Sequence, residues 1–513
     1  MSDPQQAATA ASFLDHLPAL QVLVPLMSAP LCLLARNAFA ARLISRIAGL
    51  TTLGIAISLL QRVRAEGVIS YALGGWAPPL GIEYRIDALN VYLLLVVASI
   101  AAVVLLFGPG RAGARIPESR RNLFYAATLL TIAGLLGMAI TGDIFNVFVF
   151  LEISSLSSYS LVALGSNRRA LMAAFSYLIV GAIGATFLLI GIGLMYQMTG
   201  TLNLVDLAER LPAVLGTRTL LVAFSFLVVG LSIKLAVFPL HQWLPNAYTY
   251  APAAVSALLA ATGTKVSYYL LARVLFGLFG VAFVFDQHHL HYLLVPLSLA
   301  AMFSGSIAAI YQSDVKRLLA FSSVAQVGYM TLGLSFASLT GLMAGLLHVG
   351  NHALMKGGLF LAVACVTYRL NSSEIRDYRG LGRRMPWTMA AFLVGGLAMI
   401  GVPGTVGFIS KWYLIQAALE RGWLPVVFLI VASSMLALVY IGKVAELAYF
   451  HAPPARADGA PPAREEAPWT LLAPTWLLIS ATVVFGIWAE PTVALARAAA
   501  ATLLAPEVGV IAP

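Results

Sequence analysis

The sequence predicts an all-α integral membrane protein of about 14 transmembrane helices, with two inverted five-helix repeats containing broken helices. Three observations predict it. Of the 513 residues, 60% are hydrophobic and 10% charged, and the mean hydropathy of +0.90 is more than a water-facing surface accommodates. Apolar segments begin near Leu17, Arg42, Leu89, Asn122, Asp143, Met172, Thr219, Pro252, Leu290, Lys316, Leu339, Trp387, Trp423 and Trp469. Most are long enough for a hydrocarbon core of about 30 Å. Two of them are interrupted beside a lysine, GLSIKLAVFPLHQWLP with Lys234 and GLAMIGVPGTVGFISKWYL with Lys411.

The stretches between segments follow their composition. VISYALGGWAPPLGIEYRID, with aromatic and β-branched residues broken by Gly74, Gly75, Pro78 and Pro79, reads as a short hairpin outside the lipid. TLNLVDLAERL reads as an interfacial helical turn, and HAPPARADGAPPAREEAP as a mobile linker. The segments from Asn122 to Pro252 and from Leu290 to Trp423 form two runs of five, each with an interrupted, lysine-bearing fourth member. Five is odd, so the second run starts from the opposite face, which is the layout of an inverted repeat. The chain then divides into an N-terminal three-helix part with the hairpin (1–121), a first repeat (122–280), a second repeat (281–450), and a linker with a C-terminal helix (451–513). Broken helices at membrane depth are tolerated only beside protein or a water-filled cavity, so Pro239 and Pro403 mark expected helix breaks.

With the N-terminus outside, the inner connections hold Arg36, Arg42, Arg111, Arg115, Arg120, Arg121, Arg168, Arg169, Lys316, Arg317, Arg376, Arg379, Arg383 and Arg384. The outer ones hold a few, such as Arg62, Arg64, Arg85, Arg210, Arg218 and Arg421. That asymmetry predicts both termini outside. It also accounts for the +10 net charge, because no basic cluster comes with the aromatic platform that nucleic acid would need. Cys32 and Cys365 lie in apolar runs and read as small core residues. The N-terminus lacks the basic region of a cleaved signal peptide. The absence of a phosphate-binding loop and of a CxxC cluster predicts neither metal nor cofactor, so electron transfer or ATP hydrolysis would belong to partners.

A bilayer-centre charge costs about 2.5 to 3.5 kcal/mol, so buried titratable groups read as functional. Glu152 and Lys234 are each near the middle of their segments and are expected to pair. The carboxylate favours the ammonium and burial disfavours it, an opposition that keeps the proton exchangeable. A static ion pair joining two helices is the competing reading. Lys265 is too deep to reach either interface, whereas Arg273 is expected to snorkel at the outer end. His348, His352 and Lys356 recur every four residues and stack on one helical face, as proton hopping requires. Two satisfied core histidines are the alternative, and a metal site fits less well because no carboxylate joins them. His288, His289 and His291 read as a solvated loop tip, and Lys443 with Glu446 as neighbours on one helix face. Together these residues describe an ion- or proton-translocating membrane protein.

The same residues carry a resemblance to the antiporter-like subunit family shared by Mrp-type multisubunit cation/proton antiporters, the proton-pumping arm of respiratory complex I, and membrane-bound hydrogenases. It covers roughly Ile82 to Phe450, through FVFLEISSLSSYSLVALG, IKLAVFPLHQWLPNAYTYAPAAVSALLAATGTKV, SDVKRLLAFSSVAQVGYM, HVGNHALMKGGLF and GVPGTVGFISKW. The resemblance implies that Glu152 and Lys234 are the family's glutamate–lysine pair, Lys265 its bridging lysine, His348, His352 and Lys356 its central-axis groups, and Lys411 its terminal charged residue. It departs at Asn246, where family members often carry aspartate. The terminal lysine resembles both the D-type subunits of Mrp antiporters and the quinone-proximal subunits of complex I, and the short C-terminal tail is unlike members that carry a long lateral helix. The opening segments with the hairpin are similar to the Mrp D type, which is the preferred reading. The implied function is that of a proton-translocating subunit of a multisubunit monovalent cation (Na+)/proton antiporter in a bacterial inner membrane, working with other membrane subunits. The alternative is a pumping subunit of an NADH-quinone oxidoreductase or membrane-bound hydrogenase, and a scaffold with vestigial charges is disfavoured because buried charge costs stability.

Overall fold

A computed structural model describes residues 13–108, 116–453 and 464–504. Arg111, Arg115 and most of the Pro/Ala linker lie outside them. Twelve described helices are long and apolar enough to cross a membrane. Helices α1 (Leu17–Leu34), α2 (Ala38–Glu66) and α3 (Ala88–Phe107) come first, with the hairpin of β1 (Ile69–Ala72) and β2 (Glu83–Ile86) between the last two. The first five-segment run holds α4 (Arg121–Ile140), α5 (Ile144–Ala163), α6 (Arg169–Thr199), the short α7 (Leu204–Arg210), α8 (Arg218–Leu235), α9 (Trp243–Tyr250) and α10 (Ala253–Ala272). The second holds α11 (His291–Ile310), α12 (Val315–Ser335), α13 (Leu339–Leu370), α14 (Leu381–Arg384), α15 (Pro386–Ile400), α16 (Val406–Glu420) and α17 (Leu424–Tyr449). The chain closes with α18 (Trp469–Ile487) and α19 (Glu490–Leu504), a further helix beyond the last apolar segment.

Helix boundaries follow the polar punctuation of the sequence. Asp143, Asp314 and Ser338 accept backbone N–H groups of the first turns of α5, α12 and α13, and Asp87 with Asn90 forms a capping box on α3. Both runs make the same backbone ladder. Ile144 N donates to Leu202 O at 2.9 Å and Leu204 N to Gly142 O at 2.8 Å. Val315 N donates to Ser373 O and Ile375 N to Ser313 O, both at 2.8 Å. The first ladder lies at the hairpin end of the molecule, where Gly142 N donates to Glu83 O. The second lies at the opposite end, beside the α9–α10 junction, where Lys316 donates to Ala251 O.

Helices α10, α12 and α13 are buried along nearly their whole length, whereas α2, α6 and α17 expose large apolar side chains such as Phe39, Met172, Phe175 and Phe428. An apolar outside around a core that contains lysines inverts the water-soluble pattern and matches a lipid solvent. Cys32 and Cys365 are buried and unpaired with each other.

Three expectations need correction. Arg273 does not snorkel: it pairs with Asp87, both largely buried, because the carboxylate that caps α3 reaches it before any interface does. Lys316 is not a solvated connection charge but is 7% exposed. Lys443 does not pair with Glu446. It donates to carbonyls at and just past the end of α11, Ile310 O at 3.2 Å and Gln312 O at 3.0 Å, while Glu446 lies 3.6 Å from His451.

Candidate proton-translocation axis

Both interrupted helices break where expected. Helix α8 ends at Leu235 with Ala236 left-handed at φ 62°, and the chain passes Pro239 before α9 begins. At the break the carbonyl of Ile233 accepts both Ala236 N at 3.1 Å and Trp243 Nε1 at 2.9 Å, so protein satisfies it. Trp243 in turn stacks on Tyr177 with centroids 4.3 Å apart. The second break, 401–405, contains Pro403, with Gly401 at φ 93°.

Lys234 projects from the last turn of α8 onto one face of α5. Its Nζ is 3.9 Å from Glu152 Oε1, donates to Ser155 Oγ at 3.0 Å and reaches Tyr159 OH at 3.5 Å. Residues 152, 155 and 159 recur at helical spacing, so the cradle is written in α5. Beyond the ammonium a cavity of about 40 Å³ runs past Ser158 and Ser267 to Thr264, room for two or three waters at about 10–15 Å³ each.

Lys265 is wholly buried. Its Nζ donates to Ala260 O and to Thr264 Oγ1, the latter at 3.2 Å, so Thr264 joins the cavity to the lysine. Helix α10 packs on α13 with Ala261 against Gly357, which brings Lys265 level with the middle of α13. There His348, His352 and Lys356 occupy one face, all wholly buried. The histidine rings stack at 6.1 Å, 7° from parallel.

The two ends of that column bond to α12 and α16. Lys356 Nζ donates to Leu319 O at 2.7 Å and to Ser322 Oγ. His348 is held between Gln326 Oε1 and Ser410 Oγ, both at 2.9 Å. Neither ring nitrogen of His352 has a partner among the described residues, and buried polar groups of this kind are normally met by water or another titrating group. Lys411 follows Ser410 in the chain and turns back to the break. Its Nζ donates to Met399 O at 3.0 Å and Ile400 O at 2.9 Å, the last carbonyls of α15, and lies 4.9 Å from the centre of the Tyr329 ring. A helix C-terminus and an aromatic face both attract an ammonium.

All seven titratable residues singled out from the sequence therefore fall in one row. The intervening groups were not singled out: Tyr159, Thr264, Ser322, Gln326, Tyr329 and Ser410. Their signal was present, since 322, 326 and 329 in SDVKRLLAFSSVAQVGYM share one helix face. His288 and His289 stand apart, bonded to Phe283 O and Phe285 O in their own connection.

An apolar helical exterior, two broken helices and a buried row of lysines and histidines define a multi-pass membrane protein with titratable groups held in its core. The chain belongs to the NADH:quinone oxidoreductase/Mrp antiporter transmembrane family, matched over residues 141–437. It is similar to the N subunit of the NADH-quinone oxidoreductase of Desulforudis audaxviator, 42% identical over 93% of this chain and 96% of the relative. It is also similar to the D subunit of the Na(+)/H(+) antiporter of Bacillus subtilis, 28% identical over 95% of this chain and 97% of the relative. Among solved structures, a chain of the Mrp complex from Dietzia sp. DQ12-45-1b superimposes with a TM-score of 0.87 at 26% identity, covering 96% of this chain and 98% of that one.

Proposed function

We propose that this chain is a proton-translocating subunit of a multisubunit membrane complex, with protons moving sideways from Glu152 through Lys234, Lys265, Lys356, His352 and His348 to Lys411. The observation that carries the reading is that a polar cavity and Thr264 join Lys234 to Lys265, while His348, His352 and Lys356 share one buried face of α13 that ends at Ser410, the neighbour of Lys411. A static set of ion pairs would place a carboxylate beside each lysine of the row, and among the described residues only Lys234 has one.

Partner subunits follow from Glu152, whose side chain is 31% exposed on a face of α5 shared with exposed Phe145, Val149 and Leu156. A carboxylate facing lipid at that depth costs about 2.5 to 3.5 kcal/mol, so a neighbouring membrane subunit covers it. The terminal Lys411 and the hairpin support a part like that of the Mrp D-type subunits in sodium/proton antiport. The 42% identity to the N subunit of a quinone oxidoreductase favours a second reading, a pumping subunit of a redox-driven complex. The row serves either assembly. Sodium-driven proton flux in vesicles of the purified complex supports the first, and flux driven only by quinone reduction supports the second.

The proposed topology takes the twelve long helices, α10, and the α15/α16 pair as fourteen crossings. Both termini then lie outside a bacterial inner membrane, and residues 122–280 and 281–450 are inverted repeats, in keeping with equivalent ladders at opposite ends. The mechanism is tested by Lys234→Ala and Lys411→Ala in vesicles containing the whole complex. A serial row fails at either break, so each variant stops flux and the double variant is no worse. Substantial flux in either single variant, at matched protein levels, overturns the row.

A further inference from the structure

We propose that Lys316 relays protons between a polar vestibule, at the end of the molecule opposite the hairpin, and Lys356, so that α12 feeds the row from that side. The proposal rests on the proton-translocating reading above.

Lys316 is a buried lysine outside the row. Its Nζ donates to Ala251 O at 2.5 Å, just past the end of α9, and borders a cavity of about 310 Å³. At the same 10–15 Å³ per molecule this holds on the order of twenty to thirty waters. Asn167, Thr249, Asp314, Thr367 and Glu374 line it, so its walls suit water rather than lipid, and its two carboxylates favour hydronium over anions.

From Lys316 a polar stripe runs along α12 at helical spacing. Leu319 O and Ser322 Oγ accept from Lys356, Gln326 bonds His348, and the Tyr329 ring faces Lys411. One face of a single helix therefore touches the vestibule and three members of the row. In the transfer, a hydronium in the vestibule gives its proton to the neutral amine of Lys316, forming one N–H bond and leaving water. The resulting ammonium passes that proton through water or the Ser322 hydroxyl to the neutral amine of Lys356, and Lys316 returns to the amine. No oxidant or other reactant is consumed.

A lysine that merely capped α9 would have the same contacts, so the test must separate a fixed charge from an exchangeable proton. Arginine supplies the cation and the hydrogen bond but does not deprotonate in proteins. In vesicles of the complete complex, Lys316→Gln and Lys316→Arg are each expected to lower proton flux at least tenfold at matched complex levels. Flux rescued by Lys316→Arg overturns the relay in favour of a cap. Lys234→Ala is run beside them. If it stops flux while Lys316→Gln does not, the relay alone fails, and if it too leaves flux intact, the row itself fails. Should the Lys316 variants not assemble, Thr367→Cys treated with a bulky cationic thiol reagent decides the matter, against the reagent-treated parent with its buried Cys32 and Cys365. Flux is expected to fall severalfold on labelling, and unchanged flux at full labelling overturns the vestibule as an access route.

Discussion

Replacing Glu152 by glutamine removes one charge at nearly constant shape, and the structure gives the size of the effect. At 3.9 Å and an effective dielectric near 20, the pair attracts by about 4 kcal/mol. Screening at the partly exposed carboxylate reduces this, so about 2 to 4 kcal/mol is the working range. The Ser155 and Tyr159 contacts to Lys234 are neutral and do not replace a charge. At about 1.4 kcal/mol per factor of ten, an ammonium that must form during each cycle becomes roughly 30- to 1,000-fold harder to form. Glu152→Gln is therefore expected to slow proton flux by at least an order of magnitude in vesicles of the complete complex, with the complex present in normal amounts. Glu152→Asp keeps the charge about 1.5 Å further away and about 3 kcal/mol of attraction, so it retains more flux than glutamine. Normal flux with glutamine would refute the reasoning and leave the pair a structural tie.

Other substitutions test the scaffold around the row. A Cβ at Gly350 would lie 2.4 Å from Tyr92 OH, which donates to Leu346 O at 2.7 Å; Gly350→Ala should destabilise the protein by about 1–3 kcal/mol in thermal unfolding, and Tyr92→Phe should restore part of it. Asp87→Ala removes the carboxylate paired with the largely buried Arg273 and uncaps α3, an expected loss of about 3–5 kcal/mol that the additional change Arg273→Leu should reduce. Gly401→Ala imposes a left-handed backbone costing about 1–2 kcal/mol and sets a Cβ 3.1 Å from Lys411 Cδ; flux should fall further than stability does, measured side by side on the same preparation.

Much of this was legible in the sequence, for reasons that differ by residue. Lys234, Lys265, Lys356 and Lys411 stand out because a charge in an apolar run is costly and therefore conspicuous. The breaks at Pro239 and Pro403 were visible because proline and glycine are the strongest local signals. Ser410 and Gln326 were not, since a lone hydroxyl or amide in a membrane helix is cheap and can bond its own backbone. Nor was the pairing of Arg273 with Asp87, which are brought together by packing across α3 and α10 rather than by spacing. Lys316 was misjudged for a related reason: it sits just past the Asp314 cap, where sequence alone makes a boundary lysine look solvated, and only the α9–α10 junction above it buries the charge.

The partners of the lysines bear on how such a row conducts. Among the described residues of the row, carboxylate stabilisation is given to Lys234 alone, while Lys265, Lys356 and Lys411 lean on carbonyl oxygens, with hydroxyls joining in at Lys265 and Lys356. Such partners accept from either an amine or an ammonium, so they hold the nitrogen in place without fixing its charge. Neighbouring ammoniums repel, so charging one disfavours charging the next. Placing the single carboxylate at the face a partner subunit covers means that anything which loosens Glu152 there leaves the Lys234 ammonium uncompensated. Its proton is then driven toward the neutral end of the row, and the partner needs to touch nothing beyond Glu152 to start the transfer.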